Sequence, residues 1–499
     1  MEKYDVVVIG AGNGGLAAAA RLAKDGVSVL LLERHNIPGG CATSFCRGRF
    51  EFEVALHQLS GLGPPEKPGP LRRQLDALGV LDKLEFVHAE DLYRLQLVPD
   101  RLDITLRPDR DEAVAELSRH FPKEKEAIAK YFDLIYTYFP ESIGAFYLKD
   151  PEANPDKYPL YFKYGLRSAQ DVLDEFFDDP MLKFALSPYW GYIGVPPRLM
   201  SFDHMAAMFF GFIEFKPYHL KGGSQALSNA LADCVIGNGG TIRYTCAAEK
   251  ILVSDGEIRG VITEDGDEIA TRYVVSNASK IATYMELIDA EQVPETVINE
   301  LRQSSVAQSG FVLYMGLDCA PGDVGFTEST NFVVGETDTD RSYEKMRDID
   351  IDERDTLVAS CYDLRDPSFS PEGASQVAVV TLKYGDPWLR VPPHRYVSEK
   401  YRVADNMLRV IEMAYPDVRK HIEEFEVATP LTFMRYLGHP RGSIYGFDHT
   451  IKDSDLFVPS VPHIKGLFGV GGWFGLCGFQ PTLESGMRSA RAILKKMNA

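Results

Sequence analysis

The chain has 499 residues, a formal net charge of −19 and 45% hydrophobic residues. A chain of this length predicts two to three domains with a large buried core. Its acidic surface would repel a polyanion, so nucleic-acid binding is not expected.

The first residues predict a dinucleotide-binding strand, turn and helix. A buried strand is followed by Gly10, Gly12, Asn13, Gly14 and Gly15, and then by a helix of small residues. Gly10 can form the tight turn, Gly12 lets the backbone approach a pyrophosphate, and Gly15 lets the helix pack on the strand. The free N–H groups of the helix N-terminus favour the phosphates.

A second predicted strand ends at Glu33, 18 residues after Gly15. A carboxylate there can accept hydrogen bonds from both ribose hydroxyls and would repel a 2′-phosphate, so NADP is disfavoured. NAD and FAD are the remaining alternatives. The segment from Arg34 to Pro38-Gly39-Gly40-Cys41 favours FAD, because this longer cofactor can continue over a Gly-Gly loop.

Residues 71–218 are predicted to be helical, and their second half is rich in aromatic residues. Residues 131–218 hold 23 of the 55 aromatic residues in less than a fifth of the chain. One interpretation is an ordinary core, because aromatic side chains bury large areas wherever they lie. The other is a hydrophobic substrate channel or a membrane-facing lip, for which Met205–Ile213 is the best candidate.

After residue 218 the pattern returns to that of the first domain. A Gly222-Gly223 turn precedes Ser224, a predicted helix N-cap, and strands follow as far as Asn277. The chain closes with a glycine pair and a helix predicted to begin at Pro481. Free N–H groups at that helix start would stabilise negative charge on a reduced flavin.

These elements predict an α/β protein with a Rossmann-like FAD-binding domain of the glutathione-reductase type and an inserted, mixed α+β substrate domain. The predicted FAD-binding domain is discontinuous and comprises residues 1–70, 219–285 and 460–499. The predicted substrate domain comprises residues 71–218 and 286–459, with residues 71–218 as its helical, aromatic-rich part.

The expected compartment is the cytoplasm. Seven scattered cysteines fit a reducing environment, and Cys41 and Cys46 are too few for a zinc site, so no metal is expected. The N-terminus leads directly into the first strand, which leaves no room for a signal peptide. The longest uncharged stretch near the C-terminus, residues 467–479, is too short to span a membrane. Peripheral contact with the inner face of the membrane stays open.

The chain resembles the phytoene desaturase superfamily of flavoproteins, and within it the carotenoid cis-trans isomerases and all-trans-retinol saturases. The resemblance runs nearly end to end and is strongest over residues 10–40, 222–223, 239–263 and 469–486. The segments that are similar to the isomerase and saturase branch are Pro38–Phe45, Arg49–Phe52, Leu56-His57 and Thr429–Tyr436.

This resemblance implies non-covalent FAD. The pyrophosphate would lie at the first glycine turn, the adenosine near Glu33, Ala248 and Asn277, and the isoalloxazine between the loop of residues 39–43, His57 and the last helix. The implied FAD-binding residues are Gly10, Gly12, Asn13, Gly14, Gly15, Glu33, Arg34, Gly39, Gly40, Cys41, Ala42, Thr43, Leu56, His57, Ala248, Asn277, Gly471, Gly472, Pro481 and Thr482. One departure is Gly471-Gly472, where many relatives have Gly-Asp, so contact there would come from the backbone.

The implied activity is that of an FAD-dependent oxidoreductase acting on carbon–carbon double bonds of a polyene or isoprenoid-like hydrophobic substrate, by saturation, desaturation or cis-trans isomerisation. Electrons would pass to or from a diffusing partner such as a quinone, oxygen or a reduced carrier. The alternatives are a flavin amine oxidase-like enzyme and a non-catalytic prenyl or lipid carrier. The intact Gly10, Gly12, Gly15 and Glu33 argue against the carrier.

The catalytic candidates are His57, Arg435 and Tyr436. His57 has the ordinary pKa range for moving a proton near neutrality, and the alternative is a histidine hydrogen-bonded in the domain seam. Arg435 and Tyr436 either anchor a polar substrate head or form a surface pair. Glu53 is a further acid candidate, for which an exposed strand-end carboxylate is the alternative.

Overall fold

The computed structural model describes residues 2–98, 102–453 and 463–498. Its nucleotide-binding part is built on a five-stranded, fully parallel sheet whose strands come from three separate parts of the chain. The strands, in order across the sheet, are Thr241–Arg243, Val29–Leu32, Val6–Ile9, Tyr273–Ser276 and Leu467–Gly469. The domain boundary predicted near residue 460 lies outside the described residues.

Both faces of this sheet are covered, which explains why the inner strands Val29–Leu32 and Val6–Ile9 are entirely apolar. Val6 and Val8 pack against four helices, whereas Val7 and Ile9 pack toward a small second sheet. The four helices are Asn13–Lys24, Pro70–Leu78, Gly223–Gly237 and Phe479–Met497. The strands of the small sheet, in order, are Glu2–Lys3, Glu268–Ala270, Glu257–Thr263 and Ala248–Ser254.

A larger, mixed sheet of seven strands forms the second part of the molecule. Its strands, in order, are Ile422–Ala428, Ser309–Leu317, Ser375–Lys383, Thr356–Cys361, Thr330–Val334, Tyr93–Leu97 and Leu102–Leu106. The helix Tyr396–Ala414 covers one face, where Leu313 and Met315 point. On the other face Val312 and Tyr314 pack against Phe50 and Phe52. The sheet therefore abuts the nucleotide-binding part directly.

Phe50 and Phe52 belong to a hairpin of Ser44–Arg47 and Phe50–Glu53. A second two-stranded sheet pairs Phe86–His88 with Tyr218–Leu220. The helices Lys280–Met285 and Glu295–Gln303 pack beside the small second sheet. The remaining helices of the mixed part are Thr339–Lys345, Gly385–Leu389 and Pro430–Leu437.

The prediction that residues 71–218 are helical is wrong for the three strands that lie between residues 86 and 106. Tyr93–Leu97 and Leu102–Leu106 are strands that extend the large sheet, because their apolar residues alternate as on a half-buried strand. Helices follow from residue 110 onward. They are Arg110–His120, Lys125–Ser142, Pro159–Tyr164, Ala169–Phe176, Pro180–Ala185, Trp190–Ile193 and Phe202–Glu214.

The aromatic residues of this region form a packed core. Tyr131, Tyr138 and Phe202 are fully buried and make edge-to-face ring contacts with one another or with neighbouring rings. The lip predicted at residues 205–213 is wrong, since Phe209, Phe212 and most of their neighbours on that helix are buried. Edge-to-face packing of this kind adds to the free energy gained by burying apolar area.

Candidate cofactor site and active site

The glycine turn after the first strand forms the cradle that its sequence predicts. Gly10 has a φ of +90°, and a Cβ on Gly15 would lie 2.0 Å from the carbonyl oxygen of Gly10. Only glycine therefore lets the helix Asn13–Lys24 begin so close to the strand. The helix has no side-chain cap, and the buried Asn13 Oδ1 has no hydrogen-bond partner. The uncapped N–H groups beside the glycine turn fit a bound pyrophosphate.

Asn277 fills the centre of this cradle. Its backbone N–H donates to the carbonyl oxygen of Ile9 at 2.8 Å, which fixes it at the end of its strand. Its Nδ2 would lie 2.6 Å from a Cβ on Gly12, and its Oδ1 would lie 2.5 Å from one on Gly471. The side chain thus contacts the glycines predicted to hold the pyrophosphate, whereas the sequence placed it beside the adenosine with Ala248.

Glu33 ends its strand as predicted and is buried, with 8% of its surface exposed. Its Oε2 accepts from the N–H of Ala11 at 2.6 Å, and its Oε1 accepts from the N–H of His35 at 2.7 Å. Each carboxylate oxygen keeps a second lone pair for a ribose hydroxyl. The backbone of Cys246, two residues before Ala248, donates to the carbonyl oxygen of Glu33 at 2.9 Å and closes this end of the site.

The loop of residues 39–43 folds back on the glycine turn. The N–H of Gly39 donates to the carbonyl oxygen of Ala11 at 2.8 Å, and a Cβ on Gly40 would lie 3.4 Å from Gly12 Cα. The helix Gly223–Gly237 holds the loop in place. Ser228 Oγ donates to the carbonyl oxygen of Ala42 at 2.6 Å, and Thr43 Oγ1 donates to Gln225 Oε1 at 2.6 Å. Burial raises the pKa of the neighbouring Cys41 to about 12, so its thiol stays protonated.

The Gly471-Gly472 departure has a steric explanation. Gly471 has a φ of +82° and donates its N–H to Ser485 Oγ at 2.9 Å. A Cβ on Gly472 would lie 2.5 Å from Cys477 Sγ, which donates to the carbonyl oxygen of Tyr445 at 2.8 Å. The acid found in many relatives therefore has no room here.

We expect the substitution Gly472→Asp to destabilise the protein by about 1–3 kcal/mol, the usual cost of overpacking. Cys477→Ala should restore much of that loss, because the Cβ of residue 477 would lie 3.6 Å from the new Cβ. Urea unfolding of both single variants and the double variant measures the coupling. Purely additive effects would show that Cys477 does not exclude the acid.

The last helix begins at Phe479, two residues before the predicted start. Its N-cap is Gly478 with a φ of +101°, and it has no side-chain cap hydrogen bond, so Pro481 lies within the first turn. Thr482 Oγ1 donates back to the carbonyl oxygen of Gly478 at 2.7 Å. The N-terminus of this helix therefore has free N–H groups that favour negative charge, as the sequence predicted.

Glu53 is buried and anchors the start of a helix, so the prediction of an exposed strand-end carboxylate is wrong. It is 1% exposed, and its Oε1 accepts from the N–H of Leu56 at 2.8 Å and from Ser224 Oγ at 2.6 Å. Its Oε2 accepts from the N–H of Ser224 at 2.7 Å. Ser224 is therefore not the N-cap, since Glu53 satisfies the start of the helix after Gly223. Burial raises the pKa of Glu53 despite these bonds.

His57 follows this hairpin, next to the buried Leu56. Its Nδ1 lies 3.2 Å from Tyr362 Oη, a residue 305 positions away in the chain. Burial lowers the pKa of His57 to about 4. The imidazole is therefore neutral at pH 7, with one nitrogen that donates and one that accepts. It can still transfer a proton but does not carry a standing charge.

Arg435 and Tyr436 lie beside Arg34 and His35 instead. Arg34 Nη2 donates to the carbonyl oxygen of Arg435 at 2.9 Å, and the rings of His35 and Tyr436 are 5.9 Å apart. Both Arg435 and Tyr436 are exposed, and the guanidinium lies 5.7 Å from the Tyr436 ring centroid. This arrangement next to Glu33 favours the surface pair over a substrate anchor.

Sequence reasoning missed several residues of this site. Tyr362, His219 and Gln225 lie on segments far from the motifs they adjoin. Cys477 lies five residues from Gly472, which it contacts. The presence of Gly472 where many relatives have an acid was a signal that a side chain, here that of Cys477, lies opposite it. The contacts of Tyr362, His219 and Gln225 leave no signal in a single sequence.

The uncapped helix and the strand-end Glu33 fit the phosphates and ribose of a dinucleotide, and two further glycine segments extend the cradle. Fold and site together define an α/β dinucleotide-binding protein.

The family described as flavin containing amine oxidoreductase matches residues 14–494, so the chain belongs to this family. FAD is therefore its cofactor, and the predicted α/β flavoprotein fold and oxidoreductase class are confirmed. All-trans-retinol 13,14-reductase of Danio rerio is 27% identical, over 99% of this chain and 86% of its own length. Prolycopene isomerase 2 of an Oncidium hybrid cultivar is also 27% identical, over 94% and 80%.

Solved structures share the fold. An oxidoreductase from Methanosarcina mazei has a TM-score of 0.68 at 18% identity and covers 98% of this chain and 100% of its own. A putrescine oxidase has a TM-score of 0.65 at 14% identity, with 99% of both chains covered.

Proposed function

We propose that this enzyme uses FAD to saturate, desaturate or isomerise carbon–carbon double bonds of a polyene such as a retinoid or carotenoid. The observation that carries the proposal is the similarity over nearly the whole chain to both a retinol reductase and prolycopene isomerases. Retinol and prolycopene both contain a conjugated isoprenoid chain. We therefore take conjugated isoprenoids as the substrate class of this enzyme.

The proposal places FAD along the cradle described above. The pyrophosphate lies on the glycine turn and Asn277, the ribose on Glu33, and the isoalloxazine toward the loop of residues 39–43, His57 and the start of the last helix. The FAD-binding domain comprises residues 1–70, 219–285 and 460–499, and the rest of the chain forms the substrate domain. The parallel sheet supports this division, since its strands come from those three segments.

When bound, FAD supplies hydride transfer at its N5 position. The protein holds the polyene against the ring and keeps water out. His57 is half-buried and neutral, so it can give a proton to, or take one from, a substrate carbon. Cys41 and Cys477 are held as thiols by burial, which raises the pKa of both, so neither acts as a redox partner.

An amine substrate is the second candidate, because the family is described as containing amine oxidoreductases and one protein of the same fold is a putrescine oxidase. The match to that oxidase at 14% identity speaks for the fold alone. The polyene proposal is favoured because the relatives named above are more similar to this chain.

We propose that electrons pass to or from a diffusing quinone, oxygen or a reduced carrier. The sequence carries one strand-linked glycine motif of the G-x-G-x-x-G type, and FAD accounts for it. A second nucleotide for direct hydride supply would call for a second such motif.

We also propose a cytoplasmic enzyme with peripheral contact to the inner face of the membrane. Among the residues that the structure describes, no helix is both long and apolar enough to cross a bilayer. All seven cysteines are free thiols, as suits a reducing compartment. The exposed side chains of Tyr147, Leu148, Phe162 and Leu166 offer an apolar surface beside the helical part, where a lipid-dissolved polyene could be taken up.

The proposed function is tested by mixing oxidised and chemically reduced holoenzyme, without oxygen, with all-trans-retinol, carotenoids of cis and trans geometry, and putrescine. Flavin and polyene absorbance are followed together. Polyene bleaching with flavin oxidation indicates saturation, and a polyene shift without net flavin change indicates isomerisation. Flavin reduction by putrescine alone would replace the polyene proposal with amine oxidation.

We expect His57→Ala to slow turnover of the reactive polyene by about 10²- to 10⁴-fold, the usual contribution of a positioned acid–base group. The bound FAD should stay at one per chain, since the imidazole is bonded to Tyr362 and the backbone cradle is unchanged. Stopped-flow absorbance and FAD content after desalting give the two values. Turnover equal to that of the parent enzyme would remove His57 from catalysis.

A further inference from the structure

A small cavity lies next to His57. Its volume is about 10 Å³, which is the space of a single water molecule. Its lining combines apolar surface with the polar side chains of His57, His219, Tyr362 and Arg365. A water in a cavity of this size needs two to four polar partners, so the polar atoms there that lack a partner decide whether one is held.

Two of the lining residues have buried polar atoms without a partner. They are His219 Nε2 and Arg365 Nε. His219 is 8% exposed, and Arg365 is held by Asp91, with Nη2 2.6 Å from Oδ1. Buried polar atoms almost always have a hydrogen-bond partner, either protein or ordered water. A water in the cavity would supply such a partner.

The same cavity lies between two histidines and a tyrosine. His57 Nδ1 is 3.2 Å from Tyr362 Oη, and the rings of Tyr362 and His219 are 5.9 Å apart. Beyond His219, Asp366 Oδ2 lies 3.7 Å from its Nε2 and is 2% exposed. Asp366 is itself fixed by the N–H of Ser368 at 3.1 Å.

Three separate segments bring these groups together. His219 lies in the strand Tyr218–Leu220, and Tyr362 directly follows the strand Thr356–Cys361. His57 follows the hairpin that Glu53 anchors. Burial lowers the pKa of both His57 and His219 to about 4, so each ring is neutral and can accept and donate a proton.

We propose that His219, one water in this cavity and Tyr362 form a proton relay that serves His57. The inference deepens the proposed function and rests on it, because it concerns the proton that accompanies reaction at a double bond. His57 is the catalytic residue in this arrangement, and Tyr362 and His219 are positioning residues that act through it.

The relay moves one proton and no electrons. His219 takes up a proton from solvent and becomes a transient imidazolium beside the Asp366 carboxylate. Its Nε2–H bond breaks as the proton passes to the water, the water gives a proton to Tyr362 Oη, and Tyr362 gives its own to His57 Nδ1. His57 releases its Nε2 proton to the substrate carbon. Every group ends with the number of protons it began with, and His57 ends as its other neutral tautomer. Desaturation runs the same steps in reverse.

The first test is independent of substrate. A high-resolution crystal structure of the FAD-loaded enzyme should show a water within about 2.7–3.2 Å of His219 Nε2 and of Tyr362 Oη. A dry or collapsed cavity overturns the relay, even if the enzyme turns over polyenes.

The second test uses all-trans-retinol, or whichever polyene of the panel above reacts. We expect Tyr362→Phe and His219→Leu to lower kcat by about 10- to 100-fold, less than loss of a directly acting acid–base group. KM and FAD content should be unchanged, and His219→Gln, which keeps a donor and an acceptor, should recover part of the rate. Tyr189→Phe is the matched control, since Tyr189 Oη is also buried and bonds Gln58 and the carbonyl oxygen of Leu92.

Equal loss of kcat in Tyr189→Phe and Tyr362→Phe would show a general packing effect and overturn the relay. So would a full rate in His219→Leu. If no panel polyene reacts with the parent enzyme, the proposed function fails, and the cavity water alone decides whether the relay site exists.

Discussion

Replacing Gly15 with alanine should leave the enzyme without bound FAD. The new Cβ would lie 2.0 Å from the carbonyl oxygen of Gly10, so the helix Asn13–Lys24 must move away from the strand. Its uncapped N–H groups then no longer meet the pyrophosphate. An overpacking cost of about 1–3 kcal/mol, if it falls on the FAD-bound state, weakens binding by about 10- to 100-fold.

The measurement is the FAD released by acid from desalted protein, per chain. Gly237→Ala is the matched control, because Gly237 also lies in a helix of the same part and a Cβ there would meet nothing within 4 Å. FAD content should be normal in the control and strongly reduced in Gly15→Ala. A Gly15→Ala protein that keeps its FAD would show that the close approach of helix and strand is not needed for binding.

The protein should also lose stability steeply as pH falls from about 6.5 to 4. Burial lowers the pKa of His204 and His219 to about 4. The unfolded chain binds protons on these rings below pH 6.5, whereas the folded protein does so only near pH 4, so acid favours unfolding. Each ring accounts for about 3 kcal/mol over this range. Asp363 opposes the trend, since burial raises its pKa to about 6.

His204→Gln isolates the contribution of one ring. Urea unfolding at several pH values should show a slope that is smaller by up to about 1.4 kcal/mol per pH unit between pH 6.5 and 4. His394→Gln, at an exposed position, should leave the slope unchanged. Equal slopes in the parent protein and in His204→Gln would contradict a buried, neutral His204.

The sequence alone determined those parts of the site whose residues are close together along the chain. The glycines from Gly10 to Gly15 and the acid at Glu33 are fixed by spacing, because a strand, a turn and a helix are local structures. The same holds for the apolar strands of the parallel sheet, the glycine loop at residues 39–40 and the uncapped last helix. Burial on both faces and free helix ends leave recognisable residue patterns.

Tertiary structure alone decided which distant side chains meet. Glu53 reads as a strand-end acid, yet it bonds Ser224, 171 residues away. His57 meets Tyr362 across 305 residues. Cys477 is only five residues from Gly472, yet the path of the turn between them decides that its Sγ excludes an acid at Gly472. Periodicity in sequence reports the face that a residue occupies but not its partner across a domain interface. The FAD cradle was therefore predictable from the sequence, whereas the surroundings of His57 required the packing of the hairpin, the large sheet and the strand at His219.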